Sequence, residues 1–87
     1  MNGAATQIAS LEFDRDFLQL PLAIQANVRR KIDAMGLPLY TFPHYRMTGS
    51  DKFRMQVGDY RVIYRFDLAQ GEIYLIAIGH RRAIYRH

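Results

Sequence analysis

No cysteine occurs among the 87 residues. A disulfide framework and thiolate metal sites are thereby excluded, and the composition suits a reducing compartment. No apolar run approaches the ~20 residues of a membrane span. The opening residues Met1, Asn2, Gly3, Ala4 and Ala5 lack the charged start and apolar stretch of a secretory leader, so a cytoplasmic location is expected, with no membrane partner. His44, His80 and His87 have no metal-site spacing, and Ser10 and Ser50 stand in no nucleophile motif. No Gly-rich loop leads into a helix to cradle nucleotide phosphates. The acids are scattered, without a spaced carboxylate pair for hydrolysis. Neither metal nor cofactor is expected. Repeats, low-complexity segments and linkers are absent too, so residues 1–87 should form one domain.

Apolar residues make up 49% of the chain, with five Phe and six Tyr. A domain this short buries only about 60% of its unfolded surface, and that composition can supply an efficient core. The net charge of +4 is modest, but its placement is uneven. Residues 1–43 carry four basic and four acidic side chains, whereas residues 44–87 carry eight and four. Ten of the twelve cations are Arg, whose planar fork matches phosphate, and five of the six Tyr lie in the second half. Arginine interleaved with tyrosine fits single-stranded RNA, although a solvated basic surface has the same composition.

Residues 6–13 end in alternation, with Leu11 and Phe13 inward and Ser10 and Glu12 outward, which reads as a short strand. Asp14 is the expected N-cap of a helix over 14–20 that turns Phe17 and Leu20 inward. Pro21 suits the first turn of a second helix over 21–35, where Ile24, Val28, Ile32 and Met35 form one apolar stripe. Gly36 and Pro38 stop it, and residues 36–51 read as the longest loop.

Beyond the loop the period becomes two. Phe53, Met55 and Val57 alternate with Arg54 and Gln56, Gly58-Asp59 signals a two-residue hairpin turn, and Tyr60, Val62, Tyr64 and Phe66 alternate with Arg61, Ile63 and Arg65. With Gly58-Asp59 as the turn, Val57 faces Tyr60, Met55 faces Val62 and Phe53 faces Tyr64. A one-residue slip would exchange the faces, so the register is decided. The reverse face then carries Lys52, Arg54, Arg61 and Arg65 beside Gln56. Neighbouring like charges weaken a sheet, and an anionic partner would compensate them. An ordinary solvated antiparallel face is the plainer alternative. A third strand over 72–78, apolar at almost every position, should be central. These elements predict an α+β fold: an N-terminal strand and two helices on one face of a small antiparallel sheet.

His80, Arg81, Arg82 and Tyr85 follow the central strand and should emerge near the basic face. Histidine exchanges protons near neutral pH, arginine opposes charge developing on phosphate, and tyrosine stacks on bases or transfers a proton. Those are the functions that RNA cleavage by a ribose 2′-hydroxyl requires. Taken without the arginines, His80 would read as a surface or capping histidine.

The segment from Phe53 through Gly58-Asp59-Tyr60-Arg61-Val62-Ile63-Tyr64, with Ile78-Gly79-His80-Arg81-Arg82 and Ile84-Tyr85-Arg86, resembles the RelE-like toxins of toxin–antitoxin modules. The resemblance extends over nearly the whole chain. It implies a ribosome-dependent, metal-independent messenger-RNA endoribonuclease that inhibits translation. It also implies the ribosome, messenger RNA and a cognate antitoxin as partners, with operator DNA reached only through the antitoxin. Family positions that serve the reaction map to Arg54, Arg61, Arg81 and Tyr85, and His80 stands where relatives carry histidine or lysine. Lys52, Arg54, Gln56, Arg61, Arg65 and Arg82 are the expected RNA-binding set. Gln56 departs from the pattern, because relatives usually place a second Arg or Lys there. The alternatives are a module that binds antitoxin and ribosome without cutting, or a gyrase-directed toxin.

Overall fold

The chain threads the elements β1 (Thr6–Ala9), α1 (Leu11–Leu18), α2 (Leu22–Gly36), β2 (Tyr45–Arg46), β3 (Phe53–Val57), β4 (Tyr60–Asp67) and β5 (Glu72–His80). They are seen in a computed structural model that describes residues 4–84. Five strands form one sheet in the order β1-β5-β4-β3-β2. Strands β2 to β5 are antiparallel neighbours, while β1 completes the sheet parallel to β5, from Thr6 opposite Glu72 to Ala9 opposite Leu75. The fold is therefore α+β, with two helices on one face of a mixed sheet. None of the described helices is long and apolar enough to cross a membrane.

The N-terminal reading needs two corrections. The first strand ends at Ala9, and Leu11 begins a helix instead of continuing the alternation. Ser10, not Asp14, is the N-cap: its Oγ accepts the Phe13 N–H at 3.0 Å and donates to the Ile76 carbonyl at 2.7 Å. Asp14 lies instead in the first turn of α1, where a carboxylate meets the positive end of the helix dipole. Helical spacing then stacks buried Phe13 on Phe17, with ring centroids 5.8 Å apart, and turns Leu11 out at 88% exposure. Pro21 sits at the N-cap of α2, one residue before the helix proper. The expected stripe holds, with Val28, Ile32 and Met35 buried and Ile24 packed at the margin.

The hairpin register is as the alternation requires. Val57 pairs with Tyr60, Met55 with Val62 and Phe53 with Tyr64, around Gly58 at φ 60°. A positive φ there is what a side chain with a Cβ would resist. Met55, Val57, Val62 and Tyr64 enter the main core with Ile73, Leu75 and Ile78 of β5 and the helical stripe. Each such aliphatic side chain contributes ~1.5–3 kcal/mol on burial.

One irregularity interrupts the sheet. Ile63 faces Ala77 but Tyr64 faces Leu75, so Ile76 is an extra residue on β5. Ile76 and Ala77 both belong with Ile63 and Ile84 in a small second cluster on the side away from the helices. The Ile76 carbonyl is the one taken by Ser10 Oγ. The loop over 36–51 also holds more structure than expected, because Tyr45 and Arg46 pair with Arg54 and Phe53 as strand β2.

Candidate nucleic-acid interface

Alternation from buried Met55, Val62 and Tyr64 places Lys52, Arg54, Arg61 and Arg65 on the sheet face away from the helices. Arg54 is exposed and forms no ion pair with another described residue. Arg61 is half-buried, paired across to Gln56 on one side and Gly79 on the other. Arg65 stands apart, bridged to Asp51 at 3.0 Å. Both partners are well exposed, so this bridge is worth at most about 1 kcal/mol, and a phosphate could compete for the guanidinium. Lys52 is half-buried; its N–H donates to Ser50 Oγ at 3.0 Å.

Gln56 is oriented by its own hairpin. Its Nε2 donates to the Gly58 carbonyl at 3.1 Å. A carbonyl only accepts, so the amide's direction is fixed and Oε1 is its remaining acceptor. Beyond Arg54 the outer edge of β3 loses its partner. Extending the Tyr45–Arg54 register would set Pro43 opposite Gln56, and proline has no N–H to continue a ladder. The Gln56 carbonyl instead meets Lys31 Nζ of α2 at 3.5 Å. The gap opens as a groove of about 330 Å³ whose walls include Lys31, Phe42, Pro43, Tyr45, Arg54, Gln56 and Arg61.

His44 secures the loop that supplies Pro43, Tyr45 and Arg46. Its Nε2 lies 2.9 Å from the Leu39 carbonyl and its Nδ1 2.7 Å from the Tyr64 hydroxyl. The carbonyl requires an N–H, so Nε2 carries the proton and Nδ1 accepts from Tyr64. The ring stacks on Phe66 at 4.1 Å and meets Phe53 edge-on at 5.8 Å. Burial pushes the Tyr64 hydroxyl up to about 12, which keeps it a donor through the physiological range. Held this way, the loop lays exposed Tyr45 beside Arg54 and brings the Arg46 guanidinium over the Phe53 ring at 5.1 Å. Lys31, Tyr45 and Arg46 were not among the residues picked out by sequence. Lys31 and Tyr45 reach the groove through a helix and a loop whose placement no local pattern reveals, while Arg46, opposite Phe53, lies on the helix side of the sheet.

The tail residues are divided between two sides. His80 ends β5 opposite Tyr60, the two rings edge to face at 5.7 Å, and its Nδ1 accepts the Arg82 N–H at 3.2 Å. Alternation from Val62 and Ile78 puts that pair on the helix side, while Arg61 and Gly79 face the other way. The structure thus brings Arg54, Arg61 and Gln56 together, and sets His80 around the end of the sheet from them. The Arg81 N–H donates to the Asp59 carbonyl at 2.8 Å, which fixes this exposed arginine beside the hairpin turn. Arg82 is exposed as well. Ile84 folds back over the cationic side, its Cδ1 3.2 Å from where a Cβ on Gly79 would stand. Tyr85 lies outside the described residues. Among the described residues, no group of three or more His, Cys, Asp and Glu side chains could hold a metal ion.

Comparison with known proteins places this arrangement. The toxin–antitoxin complex RelBE2 from Mycobacterium tuberculosis matches at TM-score 0.73 and 24% identity, over 93% of this chain and 95% of that one. The intact RelBE complex of E. coli matches at 0.75 and 13%, over 88% and 96%. The archaeal RelE–RelB complex from Pyrococcus horikoshii OT3 matches at 0.70 and 22%, over 92% and 98%. Likeness at such identities concerns the fold. No curated protein sequence gives a significant match. The family evidence comes from the model of the ParE toxin of the type II toxin–antitoxin system parDE, which matches residues 8–85. With nearly the whole sequence matched by this model and RelE structures as neighbours in fold, the chain belongs to the ParE toxin family of type II toxin–antitoxin systems and has a RelE-like fold.

Proposed function

We propose that this toxin is a ribosome-dependent endoribonuclease that cuts messenger RNA without a metal and so arrests translation in the cytoplasm. The observation that carries the reading is the grouping of Arg54 and Arg61 on one sheet face, with Arg81 held at the adjoining turn. Two guanidiniums on neighbouring strands suit a single phosphodiester, binding it in the ground state and opposing the charge that builds on its oxygens. In the reaction the ribose 2′-hydroxyl loses its proton and attacks the adjacent phosphorus. The bond to the 5′-oxygen of the next nucleotide breaks, and that oxygen gains a proton. The products are a 2′,3′-cyclic phosphate and a 5′-hydroxyl. Tyr85 and His80 are the proton-transfer candidates, His80 acting from the end of the sheet, and Arg81 assists the leaving oxygen. Lys52, Arg65 and Arg82 extend the phosphate-binding surface. The three solved relatives described above are toxin–antitoxin complexes, which supports a cognate antitoxin here, with operator DNA contacted only through it.

A gyrase-directed toxin is the second reading, favoured by the ParE family match. One experiment separates them. Purified toxin is added to a translating extract, and messenger ends are mapped by primer extension. Discrete cuts with 5′-hydroxyl ends support the ribonuclease. Intact messenger together with inhibited gyrase supercoiling would replace it by the alternative.

A further inference from the structure

The groove at the interrupted edge of β3 has the components of a base-reading site. Tyr45 is exposed and sits in register with Arg54, so both project on the cationic side. Gln56 lies two residues along β3 on that same side, and Lys31 closes the groove from α2. An exposed phenol ring, a directed amide and flanking cations are the elements by which single-stranded nucleic acid is bound one base at a time. The amide direction adds selectivity. With one Nε2 hydrogen on the Gly58 carbonyl, the amide is held in one orientation and its Oε1 is the acceptor that Gln56 offers to whatever enters the groove. An acceptor suits the exocyclic amine of adenine or cytosine, and it opposes the carbonyl that uracil or guanine presents at the corresponding edge.

We propose that the groove between Tyr45 and Gln56 is a nucleotide subsite that takes an unstacked adenine or cytosine of the bound RNA. The base stacks on Tyr45 and gives its amine proton to Gln56 Oε1, while Arg54 and Lys31 hold the neighbouring phosphates. This rests on the RNA reading of the cationic face and specifies it. It also gives Gln56 a use that does not depend on charge: a cation at this position would supply donors where the site needs an acceptor.

The test is equilibrium binding of end-labelled hexanucleotides of A, C, U or G to the purified full chain, read by fluorescence anisotropy. Oligo(A) and oligo(C) should bind about fivefold more tightly than oligo(U) and oligo(G), the worth of one net hydrogen bond. Tyr45→Ala should weaken oligo(A) roughly 5- to 150-fold, the range for loss of one base–aromatic stack, and Tyr45→Phe should restore it. Gln56→Arg should bind all four more strongly and reverse the preference toward oligo(G). Tyr45 is exposed, so these variants should keep the parent's circular dichroism. Equal affinities for the four oligomers, no binding of any of them, or a Tyr45→Ala protein that binds like the parent would overturn the subsite. Because the assay needs no cleavage, base-dependent binding without messenger cuts would uphold the subsite and fail the ribonuclease. Cuts without base preference would do the opposite.

Discussion

Replacing Tyr64 by Phe removes one oxygen from a fully buried ring and leaves its shape, so no cavity complicates the result. The lost hydroxyl is the donor to His44 Nδ1, 2.7 Å away, and His44 still needs its Nε2 proton for Leu39. The imidazole acceptor is left without a partner among the rings of Phe42, Phe53 and Phe66. Stranding a polar group away from water costs about 1–3 kcal/mol. In a domain of this size each kcal/mol lowers the melting midpoint by about 4–8 °C, so Tyr64→Phe should lower it by roughly 4–20 °C. His44→Phe should cost at least as much, because it strands both the Tyr64 hydroxyl and the Leu39 carbonyl. In the double variant the Tyr64–His44 pair is replaced by two apolar rings and neither member is stranded by the other. It should therefore be more stable than the two single losses imply, by about 1 kcal/mol or more. Thermal and urea unfolding of the four proteins, followed by circular dichroism, closes the cycle. Additivity within about 0.5 kcal/mol would mean that the two groups do not interact, and the account of how the loop is held would be wrong.

Alkali offers a related check. The folded-state value for Tyr64 is about 12, against an ordinary 10, so the unfolded chain ionises first as pH rises. The stability tied to this hydroxyl is complete below pH 10 and is lost between 10 and about 12, a loss that Tyr64→Phe should reduce in unfolding titrations. Arg61→Ala should flatten the log–log salt dependence of RNA binding by about 0.7, and an unchanged slope would remove the hairpin face from the RNA surface. His80→Ala should lower single-turnover cleavage by about 10²–10⁴-fold with little effect on binding; full activity would pass the proton transfer to Tyr85 or the ribosome. Ser10→Ala should cost about 1 kcal/mol for the cap and more for the stranded Ile76 carbonyl, measured by urea unfolding.

The hairpin was legible because it is self-contained: a Gly-containing turn fixes the register, and strict alternation then assigns every side chain to a face. The same logic failed at the N-terminus. Leu11 and Phe13 are two apart, and so short a stretch fits a strand end as well as the start of a helix until Ser10 is seen capping one. Strand β2 was invisible for a related reason, since two residues carry no period and the proline and glycine around them read as loop. In the sequence His44 carries no signal beyond the ligand chemistry open to any histidine. Its partners come from two distant parts of the chain, Leu39 from the loop after α2 and Tyr64 and Phe66 from β4, and only the fold assembles them. The position of His80 was anticipated along the sequence, but its side of the sheet was not, because Ile76 shifts the phase of β5 midway.

That extra residue also bears on the order in which the molecule is built. Ile76 and Ala77 make two successive apolar positions on one side, and together with Ile63 they are the seat on which Ile84 rests. The seat exists only after β4 and β5 have zipped with the offset in place, so capture of Ile84 must come after sheet formation. Release can come earlier than unfolding, since letting Ile84 go breaks no ladder bond between strands. Hydrogen exchange should accordingly find the Ala83 amide, bonded to the His80 carbonyl at 2.8 Å, opening at a lower free energy than the amides of β4. Arg81 and Arg82 would then belong to a latch that works on its own clock, fastened to a sheet that stays shut.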